Sequence, residues 1–191
     1  ANAFPTLLWE CLRQHGLVKS PKLSPLRRYV FEREVVLEEL KEAGMERDRA
    51  KVRLHSVLHG SNVGEQDPLF VKEFGGAVAK LVECLRSTSE FAPVWKAAGQ
   101  QHGTFVARVA HHLEAKAALV LMDECARKGI VVGASTFDGL LVEAASLKKA
   151  GFGSKIKDPI QALLHHLCRT LESELGFEKG TVVLTEKDIK Q

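Results

Sequence analysis

A change of period near residue 130 constrains this chain more than any other feature. Up to Lys128 the apolar residues recur at helical spacing. From Ile130 to Phe137 the chain is apolar or small at nearly every position. Asp138-Gly139 then interrupts, and Leu140-Leu141-Val142-Glu143 resumes the apolar run. Asp-Gly between two such runs is a strong signal for a two-residue hairpin turn, because both central positions take positive φ. The chain is therefore committed to an antiparallel pair of strands inside an otherwise helical protein. Helices first, then a strand hairpin, a helix and a last strand, is an α+β order, with one small antiparallel sheet and helices covering one face.

The helical part is punctuated clearly. Asn2 to His15 is predicted to be a helix stopped by Gly16. A second helix runs from Ser24 to about Ala43 with Pro25 at its first position. A third covers roughly Glu46 to Leu58, and a fourth Pro68 to Arg86 with an interruption at Gly75-Gly76. A short helix, Phe91 to Ala98, holds Trp95. Gln101 to Lys128 is the longest helical pattern. After the hairpin, Leu147 to Lys157 reads as a basic Gly/Ser/Lys loop. Asp158 caps a helix with Pro159 at its first position, and Thr181 to Leu184 reads as a final strand. Residues 1–100 thus form a helical region. Residues 101–191 hold the long helix, the hairpin at 130–143, and the last helix and strand.

With 191 residues the chain can bury one real core, or one and a half small lobes. Apolar residues make up 45% and charged residues 27%, which places it among ordinary globular proteins and excludes a disordered or fibrous class. A net charge of +3 permits a nucleic-acid partner without requiring one. No apolar run approaches the ~20 residues of a membrane-spanning helix. Cys11, Cys84, Cys125 and Cys168 are far apart and form no Cys-x-x-Cys pair. That spacing points to reduced thiols in an intracellular compartment rather than a disulfide framework. The chain opens on Ala1 and enters a helical pattern almost at once, as a piece cut from something longer would.

Two constellations carry chemistry. On the third helix Arg47, Lys51, His55 and His59 recur every four residues and form one polar stripe, with Gly60 behind them. Ala50, Val52, Leu54, Val57 and Leu58 are left for packing. Two cations one turn apart can hold a polyphosphate, arginine with a planar fork of donors and lysine with a compact charge. By spacing alone, a solvated basic face is the commoner outcome of this pattern. The second constellation is Asp138. A carboxylate at the tip of a tight hairpin projects from the sheet, where paired carboxylates can hold Mg²⁺ ions for phosphoryl transfer. Asp-Gly alone also serves as a plain turn.

Weaker candidates are His111-His112 and His165-His166. Adjacent helical residues point about 100° apart, so neither doublet makes a metal site by itself. Lys148, Lys149, Lys155 and Lys157, around Gly151 and Gly153, fit either a phosphate contact or a solvated loop. Trp9 and Trp95 read as packing residues.

Arg47-x-x-x-Lys51, seven further residues, and His59-Gly60 resemble motif B of the family A DNA polymerases and single-subunit RNA polymerases, where the last pair is Tyr-Gly. Thr136-Phe137-Asp138-Gly139 resembles their motif C, with Phe137 in place of histidine. Asn2-Ala3-Phe4-Pro5-Thr6 resembles an Asn-Ala-His-Pro-Thr segment that follows the motif A aspartate in divergent viral and mobile-element members. The order of the three matches is the family's order. The resemblance implies a fingers-like helical region and a palm-like region. It also implies Arg47 and Lys51 on the phosphates of a nucleoside triphosphate, His55, His59 and Gly60 near its sugar and base, and Asp138 on Mg²⁺. Primer-template nucleic acid would be the partner. The motif A aspartate would fall just before Ala1, so the fragment alone is expected to be inactive. His59, His55, Phe137 and the lack of that aspartate in the fragment favour a rival, a non-catalytic nucleic-acid-binding descendant. A helical interaction domain with no site is the third reading.

Overall fold

A computed structural model describes residues 3–136, 139–152 and 158–186, and shows an α+β protein. The chain divides into two compact units, Asn2–Leu113 and Glu114–Gln191.

The first unit is helical. It contains α1 (Ala3–Gln14), a 3-10 turn (Pro21–Leu23), α2 (Ser24–Phe31), α3 (Arg33–Glu42), α4 (Arg47–Leu58), α5 (Leu69–Arg86), α6 (Ala92–Ala97) and the first half of α7 (His102–Arg127). The single helix expected over residues 24–43 breaks at Glu32, whose φ of −125° and ψ of 35° leave the helical region. The break lets two short helices take different partners: α2 packs on α5, and α3 packs on α4. Phe31 and Val35, on either side of the break, are exposed.

Helix α5 is the centre of this unit. Phe70, Val71, Phe74, Ala77, Val78, Leu81, Val82 and Leu85 are all buried on it. Burial of one such side chain stabilises by roughly 1.5–3 kcal/mol. The helix runs unbroken through Gly75-Gly76, where an interruption was expected. Gly75 serves packing instead: a Cβ there would stand 2.6 Å from Cγ2 of Val63 in the preceding loop. The cost of glycine inside a helix is offset by letting that loop close down on the α5 surface.

The second unit contains the rest of α7, then β1 (Val132–Thr136), β2 (Gly139–Val142), α8 (Ala144–Lys149) and α9 (Pro159–Glu174). The strands pair antiparallel, with Thr136 opposite Gly139 and Ser135 opposite Leu140. A turn centred on Asp138-Gly139 would leave Gly139 outside the ladder; instead Gly139 is the first residue of β2. The register shifts by one between Val132 and Ala134, making Gly133 the extra residue of a bulge. Leu121, Cys125, Ile130, Leu147, Phe152, Leu163, Leu167 and Leu171 form the core, and Val132, Leu140 and Val142 of the hairpin pack against it.

Two expectations fail in this unit. Residues 144–149 form α8 where a loop was expected to begin at Leu147. The buried Ser146 hydroxyl ties that helix down, donating to the Glu143 carbonyl and accepting the Val131 N–H. The final strand is also absent among the described residues. Glu172 of α9, itself buried, accepts the Gly180 N–H at 2.6 Å and the Val182 N–H at 3.4 Å. These donors are satisfied by a carboxylate rather than by a strand ladder. Asp158 caps α9 as the sequence implies, accepting the Gln161 N–H at 3.0 Å.

All four cysteines are free thiols, three of them buried. Among the described residues no helix is long and apolar enough to cross a membrane.

Candidate functional site

Helix α4 starts on an unusual cap. The Glu46 carboxylate accepts the Asp48 and Arg49 N–H groups, at 3.0 and 3.1 Å. Glutamate does here what shorter side chains usually do, and its charge suits the positive end of the helix. Ala50, Leu54, Val57 and Leu58 are buried, so the helix presents a narrow apolar seam. Val52, expected to pack, faces solvent instead. Its removal from the seam leaves the outward face of α4 wider than the sequence pattern implies.

Arg47, Lys51, His55 and His59 do lie along α4, but both cations are already engaged. Arg47 donates to Glu34 of α3 at 2.5 Å, and Lys51 donates to Asp48 of its own helix at 2.6 Å. The Arg47 hydrogen bond holds the Glu34 carboxyl below its ordinary value, and the Lys51 hydrogen bond does the same to Asp48. In the other direction, Glu34 raises Arg47. Both carboxylates are widely exposed, so water screens these pairs.

Further along, His55 and His59 lie ring to ring, with centroids 4.4 Å apart. Phe4 of α1 approaches His59 at 5.9 Å and His111 of α7 at 5.3 Å. Burial is the main cause of a lowered His59 pKa, and the neighbouring His55 and His111 add to it, so His59 is neutral near pH 7. Its Nε2 is buried without a hydrogen-bond partner among the described residues. Phe4 lies in α1 and His59 at the end of α4, so the fold brings these two distant segments together.

Gly60 ends the stripe with φ of +89°, in the left-handed region. A Cβ on it would come within 2.9 Å of the Gly103 nitrogen, and a Cβ on Gly103 would run into the His59 carbonyl. The end of α4 and the start of α7 therefore touch backbone to backbone. That contact by itself requires glycine at both positions.

Asp138 and Phe137 lie outside the described residues, as do Asn2, Gly153, Lys155 and Lys157. Lys148 and Lys149 are exposed in the last turn of α8, where cations complement the helix dipole. The histidine doublets diverge. His111 meets Phe4, while His112 faces Glu90 at 3.9 Å. His166 meets Glu124, while His165 is exposed. Among the described residues no group of three histidines, cysteines or carboxylates could hold a metal ion. Trp9 is buried and packs edge-on against Phe31. Trp95 packs on Phe105 and carries the Arg86 guanidinium over its face at 5.7 Å. It lines an open groove of about 480 Å³ that also passes Leu17 and Lys80.

Two charged clusters escape the sequence pattern. Arg53 grips Asp67 with two hydrogen bonds, at 2.8 and 2.5 Å, and donates to the Asn62 carbonyl as well. Asp67 also accepts the Gly64 N–H at 2.8 Å, and with Arg53 as the main cause its pKa falls to about 2. The second cluster is in the other unit. Glu124, buried on α7, accepts His166 at 2.5 Å and Arg127 at 2.7 Å. His166 is the main cause of its lowered pKa. A carboxylate between core positions Leu121 and Cys125 was the visible signal for the second cluster. The first had none, since Asp67 is fourteen residues from Arg53 in an irregular loop.

No protein-family model, curated protein or solved structure matches this chain.

Proposed function

We propose that this chain is a nucleotidyl-transfer module of the family A polymerase type, with fingers-like and palm-like regions. In this reading the α4 stripe receives the phosphates of a nucleoside triphosphate, and primer-template nucleic acid is the partner. The observation that carries it is the line of Arg47, Lys51, His55 and His59 along one helix, with Phe4 of the first motif against His59. Arginine and lysine one turn apart suit adjacent phosphates, and a neutral, half-buried imidazole suits a sugar or base edge better than a charge. Mg²⁺ enters the proposal through Asp138, and no other ligand for it is assigned.

A second reading has a specific observation in its favour. Arg47 and Lys51 are both neutralised by carboxylates of the chain, as in a polymerase-derived domain that binds nucleic acid without extending it.

Primer extension with Mg²⁺ on DNA and RNA templates separates the two, in a protein carrying about thirty further residues upstream of Ala1 so that a second metal carboxylate can be supplied. Extension by that longer protein is expected, and is expected to vanish in Asp138→Ala and Lys51→Ala. Tight primer-template binding by it with no extension sinks the enzyme reading and leaves the second. Loss of both binding and extension sinks both.

A further inference from the structure

We propose that Glu34 and Asp48 set the affinity and the ligand class of the α4 stripe, by occupying Arg47 and Lys51 until a polyphosphate displaces them. This rests on the reading of the stripe as a triphosphate site. Glu34 reaches Arg47 from α3, and Asp48 reaches Lys51 from the first turn of α4. Each carboxylate is held by its cation in an exposed pair, with side-chain exposures of 71% for Glu34 and 80% for Asp48. Most of each carboxylate side chain is open to solvent, so an incoming anion can exchange for it.

The surrounding charge sharpens the point. Arg33 acts on Glu34, Glu38 acts on Arg47, and the Glu46 carboxylate is committed to the helix cap. The two stripe cations therefore sit in a patch whose own carboxylates balance them. A phosphate monoester carries a charge of about −1.5 to −2, close to that of the two carboxylates it would replace, and gains little by exchange. A triphosphate brings roughly twice that charge and enough oxygens to meet both cations at once. The pairs thus act as a threshold that passes triphosphates and holds back monophosphates. Arg53 is excluded from this exchange, because Asp67 grips it through two hydrogen bonds and is shielded from solvent.

The test is calorimetric titration of the full chain with inorganic tripolyphosphate and with orthophosphate at low salt. The proteins are the wild type, Lys51→Ala, Glu34→Gln, and the double variant Glu34→Gln/Asp48→Asn. The double variant should bind tripolyphosphate about fivefold or more tightly than the wild type, and its preference over orthophosphate should narrow. Glu34→Gln alone should give part of that gain. Wild-type binding that weakens in Lys51→Ala but does not tighten in either carboxylate variant overturns the threshold and leaves the site standing. Tripolyphosphate binding that is indifferent to Lys51→Ala, or absent from the wild type and double variant alike, overturns the site and the threshold together. Circular dichroism of each variant checks the fold, and Glu34→Gln on an exposed surface guards against a folding artefact at the α4 first turn.

Discussion

Helix α4 carries arginine–carboxylate pairs on two sides, and the two sides behave as different materials. On one, Arg53 makes two hydrogen bonds to a shielded Asp67, which is tied in turn to the Gly64 N–H, and together they close the loop between α4 and α5. On the other, Arg47 and Lys51 each meet one exposed carboxylate. The chemistry of the pairs is the same, but the dielectric and the number of supporting bonds are not. A cation locked by several partners is part of the fold. A cation held by one partner in water is available for exchange. Helical spacing puts Arg47 and Lys51 on one line of α4 and Arg53 on another, but only their surroundings distinguish scaffold from surface.

Substitutions can break this contrast. The largest effect is expected where α4 meets α7. Gly103→Ala drives a methyl group into the His59 carbonyl and should lower stability by about 3 kcal/mol in urea unfolding. An unchanged midpoint would mean that this backbone contact is looser than described. Next comes Arg53→Ala, which leaves Asp67 shielded without its main partner. A loss of about 2 kcal/mol is expected. Should Arg53→Ala prove as harmless as Arg47→Ala, the distinction between the two sides collapses.

The same pair predicts a pH dependence. Asp67 has a folded-state pKa of about 2 against an ordinary 3.8. Its contribution is thus complete above the ordinary value and is lost as pH falls from about 4 toward 2. It amounts to about 1–2 kcal/mol after allowance for solvent screening. Unfolding curves of wild type and Asp67→Asn should converge across that interval; parallel curves would refute the assignment. In the other unit, Glu124→Gln should cost about 1–2 kcal/mol, because His166 and Arg127 lose a buried charged acceptor. The lowered Glu124 pKa has the same sign as that of Asp67, so this contribution also fades on acidification. The smallest effect belongs to the outward side. Arg47→Ala and Lys51→Ala should leave the thermal midpoint unresolved from wild type while changing polyphosphate binding. A clear drop in midpoint would move both residues to the scaffold.

Much of the architecture was legible in the chain. The change of period at residue 130, the proline and aspartate at the start of α9, and the glycine stops each act within a few residues, so local pattern located the helices and the hairpin. What failed depended on partners far away. The break at Glu32 follows from two helices choosing different neighbours. Gly75 sits inside an unbroken α5 because Val63, twelve residues earlier, comes too close for a side chain there. The absent last strand follows from Glu172 capturing the Gly180 and Val182 N–H groups.

The candidate site divides in the same way. Helical spacing alone puts Arg47, Lys51, His55 and His59 in one line, because four residues make about one turn. Spacing could not show that Glu34 comes across from α3 to neutralise Arg47, nor that Phe4 of α1 and His111 of α7 gather around His59. It also could not show that Gly60 answers to a close approach by Gly103. The sequence by itself determined which side chains share a face. Tertiary structure decided which of those faces are shielded, paired or open, because that depends on residues remote in the chain that only packing brings together.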